Sequence, residues 1–272
     1  MGNENHNLPL ISVIIPCYND GAYLTENIAK LKLQTEKSFE IIIIDDGSTD
    51  FKTIEILKSI SNETDIQVLQ KENGKMSSAR NYGVKYAKGE FIAALDADDY
   101  FEPNFFKEAL EIFAKQPRTG VVTSFIKLFG EEDGISKPRG GNAFNFLFSN
   151  QCPACAMVRK ASWNEIGGYD ESMKLGYEDW EFYIRLTKNN WDIHVIQSLF
   201  LNYRQTKKST LKNQTHPNRK IIIKYILEKH KDWYIECLTT LIDQKEIIYT
   251  ESRIAFSTIW KLFKNRLIKK YK

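Results

Sequence analysis

Glu90-Phe91-Ile92-Ala93-Ala94-Leu95-Asp96-Ala97-Asp98-Asp99-Tyr100 is the stretch whose reading decides the fold. Its first half is an apolar run behind Gly89, the pattern of a buried strand. Its second half sets three carboxylates in four positions. A strand interior does not hold unpaired charge, so these acids belong at the strand's C-terminal end, facing a crevice. Asp96 and Asp98 are two apart and share a side while extended geometry persists. Two convergent carboxylates repel each other unless a cation or donors sit between them. Oxygen-only ligands suit Mg²⁺ or Mn²⁺, ions that commonly carry substrate phosphates. The same acids also read as a solvated turn in which Asp99 caps a helix.

Upstream, residues 10–15 form a β-branched apolar run ending at Pro16, with Tyr18 and Asn19 in the loop beyond it. Residues 39–44 form a second such run, broken by Asp45-Asp46-Gly47-Ser48-Thr49-Asp50, and residues 65–70 a third. Between them, Leu24, Ile28 and Leu31, then Ile54, Leu57 and Ile60, recur at helical spacing. A loop over 73–79 leads into a helix carrying Arg80, Asn81 and Tyr86. Strand and helix thus alternate at the spacing of βαβ units, which predicts an α/β fold with a mostly parallel central sheet flanked by helices. Ligands in such sheets bind at the carboxyl ends of strands. Three polar clusters collect there: Tyr18-Asn19, Asp45-Asp46 and Asp96-Asp98. No G-x-G-x-x-G follows the first strand, and no G-x-x-x-x-G-K-[ST] occurs.

Downstream, residues 102–115 read as a helix, 121–128 as a strand, 130–142 as a mobile loop or lid and 151–158 as a strand. The double glycine of Ile166-Gly167-Gly168-Tyr169-Asp170-Glu171 marks a tight turn. Glu178 and Asp179 lie in the first turn of a helix bearing Phe182 and Leu186. They read either as acids favoured by the helix dipole or as a positioned base. A strand over 191–203 precedes the basic loop Arg204-Gln205-Thr206-Lys207-Lys208-Ser209. Helices follow over 221–229, 233–241 and 254–268. The last sets Phe256, Ile259, Trp260, Phe263 and Leu267 on one face, with lysines largely elsewhere, as in a packed helix or one lying on an anionic membrane.

The 272 residues allow one large domain or one domain with an appendage, and 42% hydrophobic content supplies a sizeable core. A net charge of +3 gives no ground for nucleic-acid binding. Cys152 and Cys155 form a lone C-x-x-C without histidines at ligand spacing, which disfavours zinc. Free-cysteine usage fits a reducing cytosol. No apolar leader precedes residue 8, and no window approaches the ~18 apolar residues of a membrane span.

Six motifs in order carry a resemblance: Ser12-Val13-Ile14-Ile15-Pro16-Cys17-Tyr18-Asn19, Asp45–Asp50, Ser78-Ala79-Arg80-Asn81, Asp96-Ala97-Asp98-Asp99, Gly167–Glu171 and Glu178-Asp179-Trp180. The set resembles family 2 glycosyltransferases, inverting enzymes with the A-type glycosyltransferase fold, over residues 8–209. The resemblance implies a catalytic domain over 8–212 and a C-terminal helical extension over 213–272. It implies a UDP-sugar donor, bound by Pro16, Tyr18 (stacked on uracil), Asn19, Asp46 (accepting the uracil N–H), Arg80, Asp96, Ala97, Asp98 and Arg204. Asp96 and Asp98 would hold Mn²⁺ or Mg²⁺. Asp179 would be the general base. Gly168, Tyr169, Glu178 and Trp180 would shape the acceptor or sugar pocket. Many relatives carry Tyr-Arg-x-His in the basic loop; here the His position is Thr206.

The resulting expectation is transfer of a single sugar to a hydroxyl of a glycan or lipid-linked acceptor in cell-surface polysaccharide synthesis. The setting is the cytoplasm, with peripheral contact at the inner face of the membrane through the basic C-terminal helix. The processive Gln-x-x-Arg-Trp signature is missing. Two other readings stand beside it. One is a non-catalytic nucleotide-sugar-binding subunit. The other is a sugar-1-phosphate nucleotidyltransferase, which needs a Gly-rich basic loop where this chain has Asn19-Asp20-Gly21-Ala22.

Overall fold

A computed structural model describes residues 8–207 and 209–243. The N-terminal half runs β1 (Ile11–Cys17), α1 (Gly21–Lys32), β2 (Phe39–Asp45), α2 (Phe51–Ile60), β3 (Ile66–Gln70), α3 (Lys75–Tyr86) and β4 (Phe91–Ala94). Then come β5 (Tyr100–Phe101), α4 (Phe105–Lys115), β6 (Thr119–Gly130), β7 (Gly134–Ser136) and a 3₁₀ turn (Ala143–Phe146). The remainder is β8 (Ala156–Arg159), α5 (Lys160–Ile166), α6 (Glu178–Lys188), β9 (Asp192–Gln205), a π-helical turn (Leu211–Thr215), α7 (His216–Lys229) and α8 (Lys231–Asp243).

Every residue of β1 is buried. That requires cover on both faces, and the connecting helices supply it. Local signals fix several boundaries. The Asp50 side chain caps α2 by accepting the Thr53 N–H at 2.8 Å. Gly167, at φ +75°, ends α5 in the left-handed region.

The strands form one mixed sheet in the order β3-β2-β1-β4-β8-β6-β9-β5, with β7 on β6. The parallel run is β3, β2, β1 and β4. Beyond it β8 lies antiparallel between β4 and β6, and β9 is parallel to β6. The chain steps outward from β1 to β3 and then returns to place β4 on the other side of β1. Such a reversal opens a crevice at the strands' carboxyl ends.

Three segments differ from the sequence reading. The expected loop at 130–142 contains β7, and Gly141 exchanges two hydrogen bonds with Ile193, at 2.7 and 3.0 Å. Gly140 makes this docking feasible, since a Cβ there would collide with the Ile193 carbonyl. The strand expected over 151–158 shortens to Ala156–Arg159, because Pro153 lacks a donor and its carbonyl accepts the Tyr183 hydroxyl instead. The two-residue β5 had no counterpart; it pairs with β9 and so brings Arg204 to the acidic turn. The described chain divides into two compact units between Ile223 and Lys224. The amphipathic helix expected over 254–268 lies outside the described residues.

Candidate active site

The acids of Asp96–Asp99 sit on a turn at the end of β4. The Leu95 N–H still joins the β1 ladder at Ile14, and the Asp99 N–H then closes onto the Asp96 carbonyl at 3.2 Å. Asn27 of α1 pins the turn by donating to the carbonyls of Asp96 and Asp99. Burial, then repulsion from Asp96, pushes the Asp98 carboxyl up to about 7. Asp99 is sealed from solvent. Its carboxylate accepts the Arg204 N–H at 2.8 Å and the Cys155 thiol at 3.4 Å. Burial also pushes the Asp99 carboxyl far above its ordinary range. Ligand atoms of Asp96, Asp99 and Cys155 lie within 4.8 Å of one another.

Arg204 is fixed over this turn. Its Nε donates to the Asp98 carbonyl at 3.1 Å, its Nη2 bonds Glu26 at 2.6 Å, and its guanidinium lies 4.5 Å from the Phe129 ring centre.

Arg80 of α3 joins the acidic turn to α6. It donates to Asp96 at 2.6 Å and to Glu178 at 3.0 Å. Burial opposes its charge, but Asp96, Tyr169 and Glu178 outweigh that and hold it protonated. Tyr169 packs beneath the guanidinium, 5.4 Å from its ring centre. Asn81, the next residue on α3, clamps the double-glycine turn. It accepts the Tyr169 N–H at 2.8 Å and donates to the Tyr169 carbonyl at 2.9 Å.

Asp179 keeps an edge on solvent although protein atoms surround it densely. Burial, then Glu178, pushes its carboxyl up to about 7, while the Trp180 N–H, Arg80 and Asn150 pull it down. Asn150 donates to it at 2.7 Å. Trp180 is buried, and its indole N–H donates to the Phe146 carbonyl at 2.7 Å. This side chain therefore ties Phe146 to the first turn of α6.

The third cluster stands at the ends of β1 and β2. Pro16 is buried within β1, and Tyr18 is 43% exposed. Asn19, at φ +59°, accepts the N–H groups of Thr49 and Asp50 and so ties the two loops together. Asp46 takes three donors: the Lys71 ammonium at 2.8 Å and the N–H groups of Gly74 and Lys75 at the start of α3. Helix α3 thus contacts Asp46 at its N-terminus and Asp96 and Glu178 through Arg80. Asp46, Asp96 and Glu178 each hydrogen-bond to α3 or to Gly74 just before it.

Residues 12–167 match the family model described as "Glycosyl transferase family 2". The chain belongs to glycosyl transferase family 2. An uncharacterized glycosyltransferase of Rickettsia typhi is 30% identical across 98% of this chain and 84% of its own length. The chondroitin synthase of Pasteurella multocida is 28% identical over 67% of this chain, which spans only 19% of that protein. Among solved structures, S. aureus TarS 1–349 in complex with UDP-GlcNAc superposes with a TM-score of 0.67 at 22% identity. It covers 90% of this chain and 76% of its own. This likeness shows the A-type glycosyltransferase fold.

Several residues of this family 2 glycosyltransferase escaped the sequence reading. Asn27 carries a weak signal, a polar residue at an apolar position of α1. Lys71 and Asn150 carry none, and Cys155 reads only as half of a lone C-x-x-C: their contacts arise only where distant segments meet. Among the described residues, no helix is long and apolar enough to cross a membrane.

Proposed function

We propose that this glycosyltransferase moves a single sugar from a UDP-sugar to a hydroxyl of a glycan or lipid-linked acceptor. The reaction inverts the anomeric carbon, is metal-assisted and builds a cell-surface polysaccharide at the inner face of the membrane. The machinery falls within residues 8–212. The observation that carries this reading is the Arg80 bridge. One buried guanidinium bonds Asp96 on the donor side and Glu178, whose neighbour Asp179 is the candidate base. The uridine donor rests on TarS, crystallised with UDP and with UDP-GlcNAc.

Donor chemistry selects the metal ligands. Asp99 already accepts two donors, and its partner Cys155 is a soft ligand whose buried thiol stays protonated. Asp96 commits one oxygen to Arg80. Asp98 lies near enough to feel the Asp96 charge, which together with burial raises its carboxyl. Asp96 and Asp98 therefore fit a hard divalent ion, Mn²⁺ or Mg²⁺, which when bound neutralises the diphosphate. Thr206 leaves that ion without a histidine from the basic loop.

Tyr18, exposed beside Pro16, stacks on the base. Asp46 retains one acceptor site for a base N–H beyond its three donors, and Asn19 and Ala97 shape the neighbouring backbone. Asp179 takes the proton of the acceptor hydroxyl. That oxygen bonds to the anomeric carbon as the carbon–phosphate oxygen bond breaks on the opposite face, and nucleoside diphosphate leaves. Arg204 stabilises its developing charge. Gly168, Tyr169, Glu178 and Trp180 hold the acceptor side. Incubation with UDP-sugars, with and without Mn²⁺, tests this reading. Metal-dependent release of UDP supports it, and no release from any nucleotide-sugar refutes it.

A further inference from the structure

Residues 146–153, between the 3₁₀ turn and β8, run along α6 and are stapled to it at three points. The Trp180 indole N–H reaches the Phe146 carbonyl at 2.7 Å, and the Tyr183 hydroxyl reaches the Pro153 carbonyl at 2.6 Å. Between these two, the Asn150 amide nitrogen donates to Asp179 Oδ2 at 2.7 Å. The amide cannot turn over. Its Oδ1 accepts the Cys152 backbone N–H at 3.2 Å, a group that can only donate, so the NH₂ end must face Asp179.

Asp179 Oδ1 accepts the Trp180 N–H at 2.8 Å. Each carboxylate oxygen thus holds one donor, and the plane of the carboxyl group is set. The charged and titratable groups around it are Glu178 on its own helix, Arg80 on α3, Tyr169 in the double-glycine turn, Cys152 beside Asn150, and Tyr183 one turn along α6. Of these, only Arg80 favours the ionised carboxylate, and two of its hydrogen bonds are committed to Asp96 and Glu178.

We propose that Asn150 is a positioning residue for the transfer reaction, holding the Asp179 carboxylate in one orientation and in its ionised form. The proposal rests on Asp179 being the base. Asn150 does not reach the reacting atoms; it acts through Asp179. A donor to a carboxylate favours its charged form, so Asn150 works against the surrounding burial and the Glu178 charge.

The test is a ¹³C NMR titration of the Asp179 carboxyl, assigned by its loss in Asp179→Asn, in the wild-type protein and in Asn150→Ala and Asn150→Asp. A titration midpoint near 7 in the wild type, moved up by about one unit in Asn150→Ala and further in Asn150→Asp, supports the role. The kcat of UDP release should fall about 5-fold at pH 7 in Asn150→Ala and further in Asn150→Asp, and should rise again with pH, while KM for the donor holds. An unmoved midpoint in a folded Asn150→Ala protein overturns the proposal, as does an unchanged kcat at pH 7. Full activity in Asp179→Asn instead removes the base assignment, and Asn150's role with it.

Discussion

Arg80 and Asp96 form a 2.6 Å ion pair in which the guanidinium is 2% exposed and the carboxylate 23% exposed. The cation belongs to the scaffold and the anion to the crevice. Removing Arg80 leaves Asp96 and Glu178 as uncompensated neighbours in a low-dielectric site. Arg80→Ala should cost about 3–5 kcal/mol of stability, as expected for breaking a buried pair from one side. Arg80→Lys keeps one charge but cannot span both acids, so it should lose a smaller part. Urea midpoints of the three proteins measure this.

Asp98→Ala should abolish metal-dependent nucleotide binding. Calorimetric titration with UDP, with and without Mn²⁺, reads it directly. Affinity in Mn²⁺ equal to that of the parent protein removes Asp98 from the metal site.

Asp179→Asn should lose about 10²–10⁴-fold in turnover, the usual contribution of a general base. UDP binding should persist, because Asp179 bonds Asn150 and the Trp180 N–H rather than donor-side groups.

The raised Asp179 carboxyl gives pH effects with a defined sign. A base must be ionised to work, so kcat should rise with pH and level off above about 7. Stability runs the other way. The folded state holds this proton more tightly than the unfolded chain, whose aspartates titrate near ~3.9. The contribution is therefore full below that value and is lost as pH rises through about 7. The difference in melting temperature between the parent and Asp179→Asn, followed across pH, should shrink or reverse over that window.

Gly167 and Gly168 both sit at φ +75°, but only Gly168 is crowded: a Cβ there would lie 2.5 Å from Asn81 Oδ1, whereas Gly167 faces open space. Gly167→Ala should cost about 1–2 kcal/mol, the strain of a left-handed L-residue. Gly168→Ala should cost more, since it also pushes Asn81 off the Tyr169 backbone. Denaturant unfolding separates the two.

Local pattern alone determined the βαβ alternation, the strand that ends in acids and the motifs that mark family 2. Burial on both faces writes itself as a continuous apolar run, as in Ile41–Ile44, and charge is excluded from such a run. The acids of Asp96–Asp99 could therefore stand only at the strand's end. Which partner each acid meets was decided by the tertiary structure alone. Arg80 reaches Glu178 across 98 positions, and Arg204 lies over Asp98 across 106. Asn150 finds Asp179 only because Trp180 and Tyr183 staple its segment to α6. Trp180, read from its motif as shaping the acceptor or sugar pocket, is one of those staples. Helical and strand periodicities report which face of an element is apolar. They do not report which distant element will pack against it, and a carboxylate's protonation and orientation depend on that neighbour.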